Sequence, residues 1–145
     1  MVKKEIEPLI ETIEIATVGR GFREISGELR SFVSQSGVIN GICHVFLRHT
    51  SASLLITENA DSDVRRDLET FMSRLVVDGD PAWTHSMEGP DDMPAHIRSV
   101  LTCSELSIPV RDHRLALGTW QGVYLWEHRN RPHRRLVDIS IFNIQ

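Results

Sequence analysis

The chain has 145 residues, 41% hydrophobic and 25% charged, with a formal net charge of −4. That is enough for one domain with a real core, and the composition is ordinary for a soluble globular protein. The acidic balance argues against non-specific nucleic-acid binding, which draws on a basic excess. No run reaches the length of a membrane span, and Met1-Val2-Lys3-Lys4-Glu5 lacks the apolar stretch of a signal peptide, so a cytoplasmic protein is expected.

Without repeats, low-complexity tracts or a linker, residues 1–145 read as a single domain. From Ile6 to about Ile15, Ile13 and Ile15 alternate with polar residues, the pattern of a strand. Ser26 is placed to cap a short helix that presents Leu29, Phe32 and Val33 and closes at Gly37. Ile42–Leu47 and Ser53–Thr57 read as strands joined by a polar turn. Asp61 or Ser62 then caps the clearest helix. Val64, Leu68, Phe71, Met72 and Leu75 recur there at helical spacing, while Arg65, Arg66, Asp67 and Glu69 face away. After a loop stiffened by Pro81, Pro90 and Pro94, Asp91 or Asp92 caps a third helix with Ile97, Val100 and Leu101 inward. The last third is β: Ser107–Val110, Arg114–Leu117, Gln121–Glu127 and Leu136–Phe142. These elements predict an α+β protein, a mostly antiparallel β-sandwich with about three short helices. Cys43 and Cys103 stand far apart with no paired-cysteine motif, so reduced, buried thiols are expected.

Two stretches concentrate groups capable of chemistry: His49-Thr50-Ser51-Ala52-Ser53 through Glu58-Asn59, and Asp78-Gly79-Asp80 through His96. Burying so many polar groups unpaired would be costly, and rigid polar loops are where binding sites usually sit. His49, Thr50, Ser51 and Ser53 can turn several donors toward one anion, or can simply satisfy their own turn. Glu58 and Asn59 precede a helix, so they read as a capping segment or, through Asn59, as a ligand contact at a helix N-terminus. His44, His113 and His133 read as structural or solvated. His85, His96 and His128 lie on elements that can converge at one end of a sandwich. There they would hold a divalent metal such as zinc with one position open, or would be ordinary hydrogen-bonding histidines. The acidic residues Asp78, Asp80, Glu88, Asp91 and Asp92 flank them, either orienting imidazoles or serving as turn and cap residues. Gly118 to His128 reads as one strand, with Gln121 and Glu127 as polar members of an otherwise apolar face and Trp120 beside two glycines. Arg129 to Arg135 reads as an exposed basic hairpin, with attraction of phosphate as the alternative.

The segments His49-Thr50-Ser51-Ala52-Ser53, Glu58-Asn59-Ala60-Asp61, Asp78-Gly79-Asp80-Pro81-Ala82-Trp83, Glu88-Gly89-Pro90-Asp91-Asp92-Met93-Pro94-Ala95-His96, Gly118-Thr119-Trp120-Gln121-Gly122 and Glu127-His128-Arg129 stand in this order. With them the chain closely resembles the YjbQ family, known as secondary thiamine-phosphate synthases. The likeness runs from about Arg20-Gly21-Phe22 to the C-terminus, and Ser62 stands where a proline is common. The resemblance implies a compact β-sandwich that assembles as a homotrimer, with a pocket at or near the subunit boundary. It also implies thiamine-phosphate synthase activity, in which a pyrimidine diphosphate and a thiazole phosphate are joined and pyrophosphate is released. Such a reaction needs donors or cations at the phosphates and positioning of the thiazole nitrogen.

The candidate catalytic groups are therefore His49, Thr50, Ser51, Asn59, Gln121 and Glu127, with Ser53, Glu58, Asp92 and Trp120 binding a phosphorylated small-molecule substrate. His85, His96 and His128 are the candidate ligands of zinc or magnesium. A metal-dependent hydrolase and a non-catalytic trimeric metabolite-binding protein are the alternatives.

Overall fold

A computed structural model describes residues 9–144. Strands β1 (Leu9–Ala16), β2 (Gly21–Glu24), β3 (Gly41–Leu47), β4 (Ala52–Glu58), β5 (Glu105–Arg111), β6 (Arg114–Leu115), β7 (Gln121–Glu127) and β8 (Arg134–Asn143) form two sheets. A five-stranded sheet runs β1-β8-β3-β5-β6 and a three-stranded one runs β2-β7-β4, with antiparallel pairing throughout. The helices are α1 (Ser26–Ser36), α2 (Ser62–Leu75) and α3 (Asp92–Leu101). The expected α+β architecture is the one observed. No described helix is long and apolar enough to cross a membrane.

Alternation sets the sandwich. In β8, Val137, Ile139 and Ile141 are buried, and they stand opposite Leu47, Val45 and Cys43 of β3. These residues meet Ala52 and Leu54 of β4, Val123 and Leu125 of β7, and Leu29 and Val33 of α1 in one core. Removing such apolar surface from water is the main favourable term in folding. A second, smaller cluster of Met72, Val76 and Trp126 covers the outer face of the three-stranded sheet, packed with Phe22, Leu55, Leu68 and Ile97. Strand β7 is consequently covered on both faces, and only its first residue is exposed.

Several expectations shift in detail. The first strand begins at Leu9, and its expected start at Ile6 lies outside the described residues. Helix α1 closes at Gly37 in the left-handed conformation as expected, but Ser26 is its first residue and lends its hydroxyl to the Val123 N–H instead of capping. Residues 118–120 form a turn, so the aromatic strand starts only at Gln121. The short strand β2 adds an element that the sequence pattern does not mark.

Helix α2 is rolled relative to its hydrophobic stripe. Asp61 caps it as expected, but Phe71 and Leu75 are exposed while Arg65 and Glu69 face the sheet. Arg65 lies over the Tyr124 ring, 4.9 Å from its centroid. Glu69 accepts hydrogen bonds from the Trp126 indole (2.7 Å) and Arg98 (2.6 Å). Helix α3 is likewise turned: Asp92, Pro94, Ala95 and Arg98 are buried, whereas Val100 and Leu101 are exposed. Specific polar bonds to the sheet outweigh the exposure of a few methyl groups. Cys43 is buried, but Cys103 is exposed, against expectation.

The connection between α2 and α3, residues 76–91, carries no regular structure and is closed at its base. Gly79 N–H donates to the Pro90 carbonyl at 3.0 Å, and Asp78 is gripped by both terminal nitrogens of Arg20 (2.8 and 3.0 Å). Rigid closure of this loop sets the position of His85.

Candidate functional site

Helical spacing explains half of the site. Asp92 opens α3 and His96 follows one turn later, so both side chains share a face. His85 reaches the same carboxylate from the closed loop. Its Nε2 lies 2.6 Å from Asp92 Oδ2, while His96 Nε2 lies 3.3 Å from that oxygen. The ligand atoms of His85, Asp92 and His96 all lie within 4.8 Å of one another.

The surroundings fix each group. The His96 Nδ1–H donates to the Thr50 carbonyl at 2.9 Å. In the neutral ring this leaves the Nε2 lone pair aimed at the cluster, the tautomer of a metal-bound imidazole. A lone pair and a carboxylate oxygen 3.3 Å apart repel each other unless a proton or a metal ion lies between them. That separation also matches the spacing of about 3.3 Å between two ligands of a tetrahedral zinc. The other Asp92 oxygen accepts from Arg129 Nη1 at 2.8 Å. Burial pushes the Asp92 carboxyl up, but the His85 hydrogen bond and the charge of Arg129 outweigh it and hold the group below its usual range. The donor set of two imidazoles and one ionised carboxylate fits a divalent metal.

Two cavities border the cluster. His85 lines one of about 410 Å³ together with Asp80, Trp83 and Ser86. His96 lines another of about 500 Å³ with His49, Thr50, Ser99 and Ser104.

His128 is not the third member of this cluster; Asp92 is. The His128 ring is fully buried between the three-stranded sheet and the helices, with Nε2 2.8 Å from the Ser53 hydroxyl. Its Nδ1 has no partner among the described residues. Burial, then the charges of Arg98, Arg20 and Arg135, push its pKa down to about 3, so it is neutral. Glu127 is also buried. It accepts from Arg135 Nε (2.9 Å), the Thr17 hydroxyl (2.7 Å) and the backbone N–H groups of His128 and Arg129. Burial would raise its carboxyl, but the Arg135 and Thr17 hydrogen bonds dominate and lower it. Ser51 accepts from Arg135 through its hydroxyl (2.9 Å), and His49 accepts the Leu136 N–H through Nε2 (2.8 Å).

Nine of the expected groups thus gather at one end of the β4–β7 ladder: His49, Thr50, Ser51, Ser53, His85, Asp92, His96, Glu127 and His128. Four do not. Glu58 pairs with Gln121 at the opposite end, six residues from the Ala52–Glu127 pair, a separation of roughly 20 Å at 3.4 Å per residue. There Glu58 accepts from the Asp61 N–H, as its capping reading predicts. Asn59 donates to the Thr119 carbonyl, and Gln121 accepts from the Gly118 N–H. Trp120 is 63% exposed at the same end.

The basic segment expected to be an exposed hairpin supplies two buried arginines instead. Arg129 grips Asp91 (3.0 Å), Asp92 (2.8 Å) and the Glu88 carbonyl (2.8 Å). Asp91 therefore serves Arg129 and the Asn130 N–H, and makes no cap bond to its own helix. Arg135 pairs with Glu127. A signal for it was present, since Arg135 shares the two-residue alternation of Val137, Ile139 and Ile141. For Arg129 and Arg98 no local pattern marks burial, because their partners lie far away in the chain.

This is a small two-sheet α+β domain carrying an imidazole–carboxylate cluster beside two cavities. The chain belongs to the YjbQ-like UPF0047 family, whose model matches residues 11–143. It is 52% identical over 131 residues to UPF0047 protein sll1880 of Synechocystis sp., covering 90% of this chain and 89% of that protein. It is 41% identical over 120 residues to UPF0047 protein YjbQ of Escherichia coli O157:H7, covering 82% and 86%. Among solved structures, an uncharacterized conserved protein of the YjbQ/UPF0047 family from Clostridium acetobutylicum superposes with a TM-score of 0.81 at 32% identity, covering 92% of this chain and 99% of that one. The conserved hypothetical protein TT1486 of Thermus thermophilus gives 0.82 at 30% identity, covering 91% and 99%.

Proposed function

We propose that this chain is a metal-dependent enzyme acting on a phosphorylated small molecule, and that it carries thiamine-phosphate synthase activity. The reading rests on the cluster of His85, Asp92 and His96 at the edge of two cavities. The named activity comes from the resemblance of its motifs to the thiamine-phosphate synthases of this family. In that reaction the carbon–oxygen bond to the diphosphate breaks and pyrophosphate leaves with the electron pair. The thiazole nitrogen supplies the pair for the new carbon–nitrogen bond.

Two imidazoles suit zinc better than magnesium, which prefers an all-oxygen shell. Bound there, the cation would neutralise phosphate charge or lower the pKa of a coordinated water. The chain's own residues orient the ligands. Thr50 fixes the His96 ring through its carbonyl, and Arg129 fixes the Asp92 carboxylate. Arg20 and Arg129 offset the charges of Asp78 and Asp91, whereas Asp80 and Glu88 have no ion-pair partner among the described residues, and their charge favours a cation beside His85. The three-ligand set equally suits metal-dependent hydrolysis, which the substrate screen below separates.

The proposal includes a homotrimer. Ile42, Phe46, Leu136 and Phe142 are exposed on the outer face of the five-stranded sheet, and covering such side chains is a usual gain from assembly. Trp120, Gln121, Glu58 and Asn59, remote from the cluster within one chain, would then serve a pocket at the subunit boundary.

The test is turnover of pyrimidine diphosphate with thiazole phosphate before and after chelation. Loss on chelation and recovery with zinc is expected, and His96→Ala should abolish turnover while the fold persists. Turnover indifferent to chelation, or wild-type rates in His96→Ala, would end this reading. Phosphate release from the diphosphate without coupling would select the hydrolase.

A further inference from the structure

His49 links β3 to β4, and the backbone fixes its tautomer. The Leu136 N–H donates to Nε2 at 2.8 Å, so Nε2 carries the lone pair and the neutral ring bears its proton on Nδ1. Nδ1 lies 3.4 Å from Nη1 of Arg135. A guanidinium nitrogen has only N–H groups to offer. Two donors therefore face each other, and neither can satisfy the other.

The remaining Arg135 nitrogens are committed. Nε donates to Glu127 Oε1 at 2.9 Å, and Nη2 donates to Glu127 Oε2 and to the Ser51 hydroxyl at 2.9 Å. Nη1 has no acceptor among the described residues. With its side chain only 4% exposed, Arg135 has little bulk water to turn to, and buried donors are rarely left unpaired. Glu127 cannot serve, because its oxygens already take Thr17, two backbone N–H groups and the other side of the guanidinium. His133 donates through Nδ1 to the Arg131 carbonyl, and its ring makes no hydrogen bond to Arg135.

What fits two convergent donors is an oxygen carrying negative charge. An oxygen about 2.9 Å from each nitrogen completes both bonds, and charge on the acceptor strengthens them. His49 and Thr50 line the same cavity as His96, which sets the His49 end of the pair beside the candidate metal cluster. Burial and the charge of Arg135 also lower the His49 pKa, consistent with a neutral ring that donates from Nδ1.

We propose that His49 Nδ1 and Arg135 Nη1 form an oxyanion subsite that holds a phosphate oxygen of the substrate. This deepens the enzyme reading and rests on it for the identity of the substrate, but not for the binding itself. The subsite is built from protein donors alone, so inorganic pyrophosphate should bind the full chain with or without a chelator. Isothermal titration should show pyrophosphate affinity falling at least about tenfold in both His49→Ala and Arg135→Lys, the loss of a hydrogen bond to a charged group. Nitrogen NMR of the imidazole should find His49 as the Nδ1–H tautomer, with its pKa raised when pyrophosphate is bound. A His49 in the Nε2–H form, a chelated wild-type protein that binds no pyrophosphate, or His49→Ala with unchanged affinity would each overturn the proposal. Arg135→Lys can fail to fold because Arg135 also holds Glu127, so His49→Ala is the decisive variant. Failure of the metal reading shows separately, as zinc uptake that is absent from wild type and His96→Ala alike.

Discussion

Glu127→Gln separates a structural role for this carboxylate from a catalytic one. Five donors converge on it: the Thr17 hydroxyl, two nitrogens of Arg135 and the backbone N–H groups of His128 and Arg129. Glutamine offers one acceptor oxygen and turns an NH₂ group toward the remaining donors. It also leaves Arg135, 3% exposed, without its counter-charge. Removing one partner of a buried ion pair costs about 3–5 kcal/mol, a large share of the roughly 5–15 kcal/mol that holds a domain of this size. Urea unfolding followed by tryptophan fluorescence measures the loss directly, since Trp126 is buried. The double variant Glu127→Leu with Arg135→Met should recover only part of that stability, because both charges go together but the Thr17 hydroxyl and two backbone N–H groups lose their acceptor. The pH dependence has a fixed sign. The folded-state pKa of Glu127 is lowered, so its contribution is present above the unfolded pKa of about 4.3 and is lost as pH falls through the folded value. Wild-type stability should decline across that acidic window, and the Gln variant should be flatter there. A loss under about 1 kcal/mol together with abolished turnover would refute the argument and make Glu127 a catalytic group.

Arg129→Gln leaves Asp91 and Asp92 adjacent and buried without their cation. It should cost about 3–5 kcal/mol and weaken zinc binding about 10- to 100-fold, read by chelator competition; a folded variant with unaltered zinc affinity would contradict this. Gly122→Ala would place a methyl group 2.8 Å from Tyr124 Cε2 and 3.0 Å from Glu24 Oε1. It should cost about 1–3 kcal/mol, a drop of several degrees in Tm, and an unchanged melt would show that Tyr124 and Glu24 yield freely. Burial pushes the Cys43 thiol up to about 11, whereas Cys103 is exposed. A disulfide reagent should therefore titrate one thiol in the native protein and two after denaturation, and two fast thiols would disprove the burial.

What the sequence disclosed follows the range of the forces involved. The strand β8, the Asp61 cap and the Gly37 terminus are legible because alternation, capping and left-handed glycine act within a few residues. The rotation of α2 is not, because Arg65 and Glu69 are drawn inward by Tyr124, Trp126 and Arg98, partners remote in sequence. For the site, His85 and His96 stand out by their loop and helix positions. Asp92 carries a readable sign, standing four residues before His96 on the same face, yet its acidic neighbourhood reads as readily as a substrate contact. His128 misleads for a physical reason. It ends a strand that helices cover from outside, and that second layer cannot be inferred from the strand's own alternation.

The neck of the segment between α2 and α3 has an evolutionary consequence. Because Gly79 meets Pro90, and Asp78 and Asp91 are anchored to Arg20 and Arg129, residues 80–88 are fastened at the base independently of their tip. Substitutions at the tip, as at Ser86, can recontour the cavity wall without disturbing either sheet. Related chains can thus diverge in what they admit while inheriting an unaltered scaffold, a replaceable cartridge on a fixed frame.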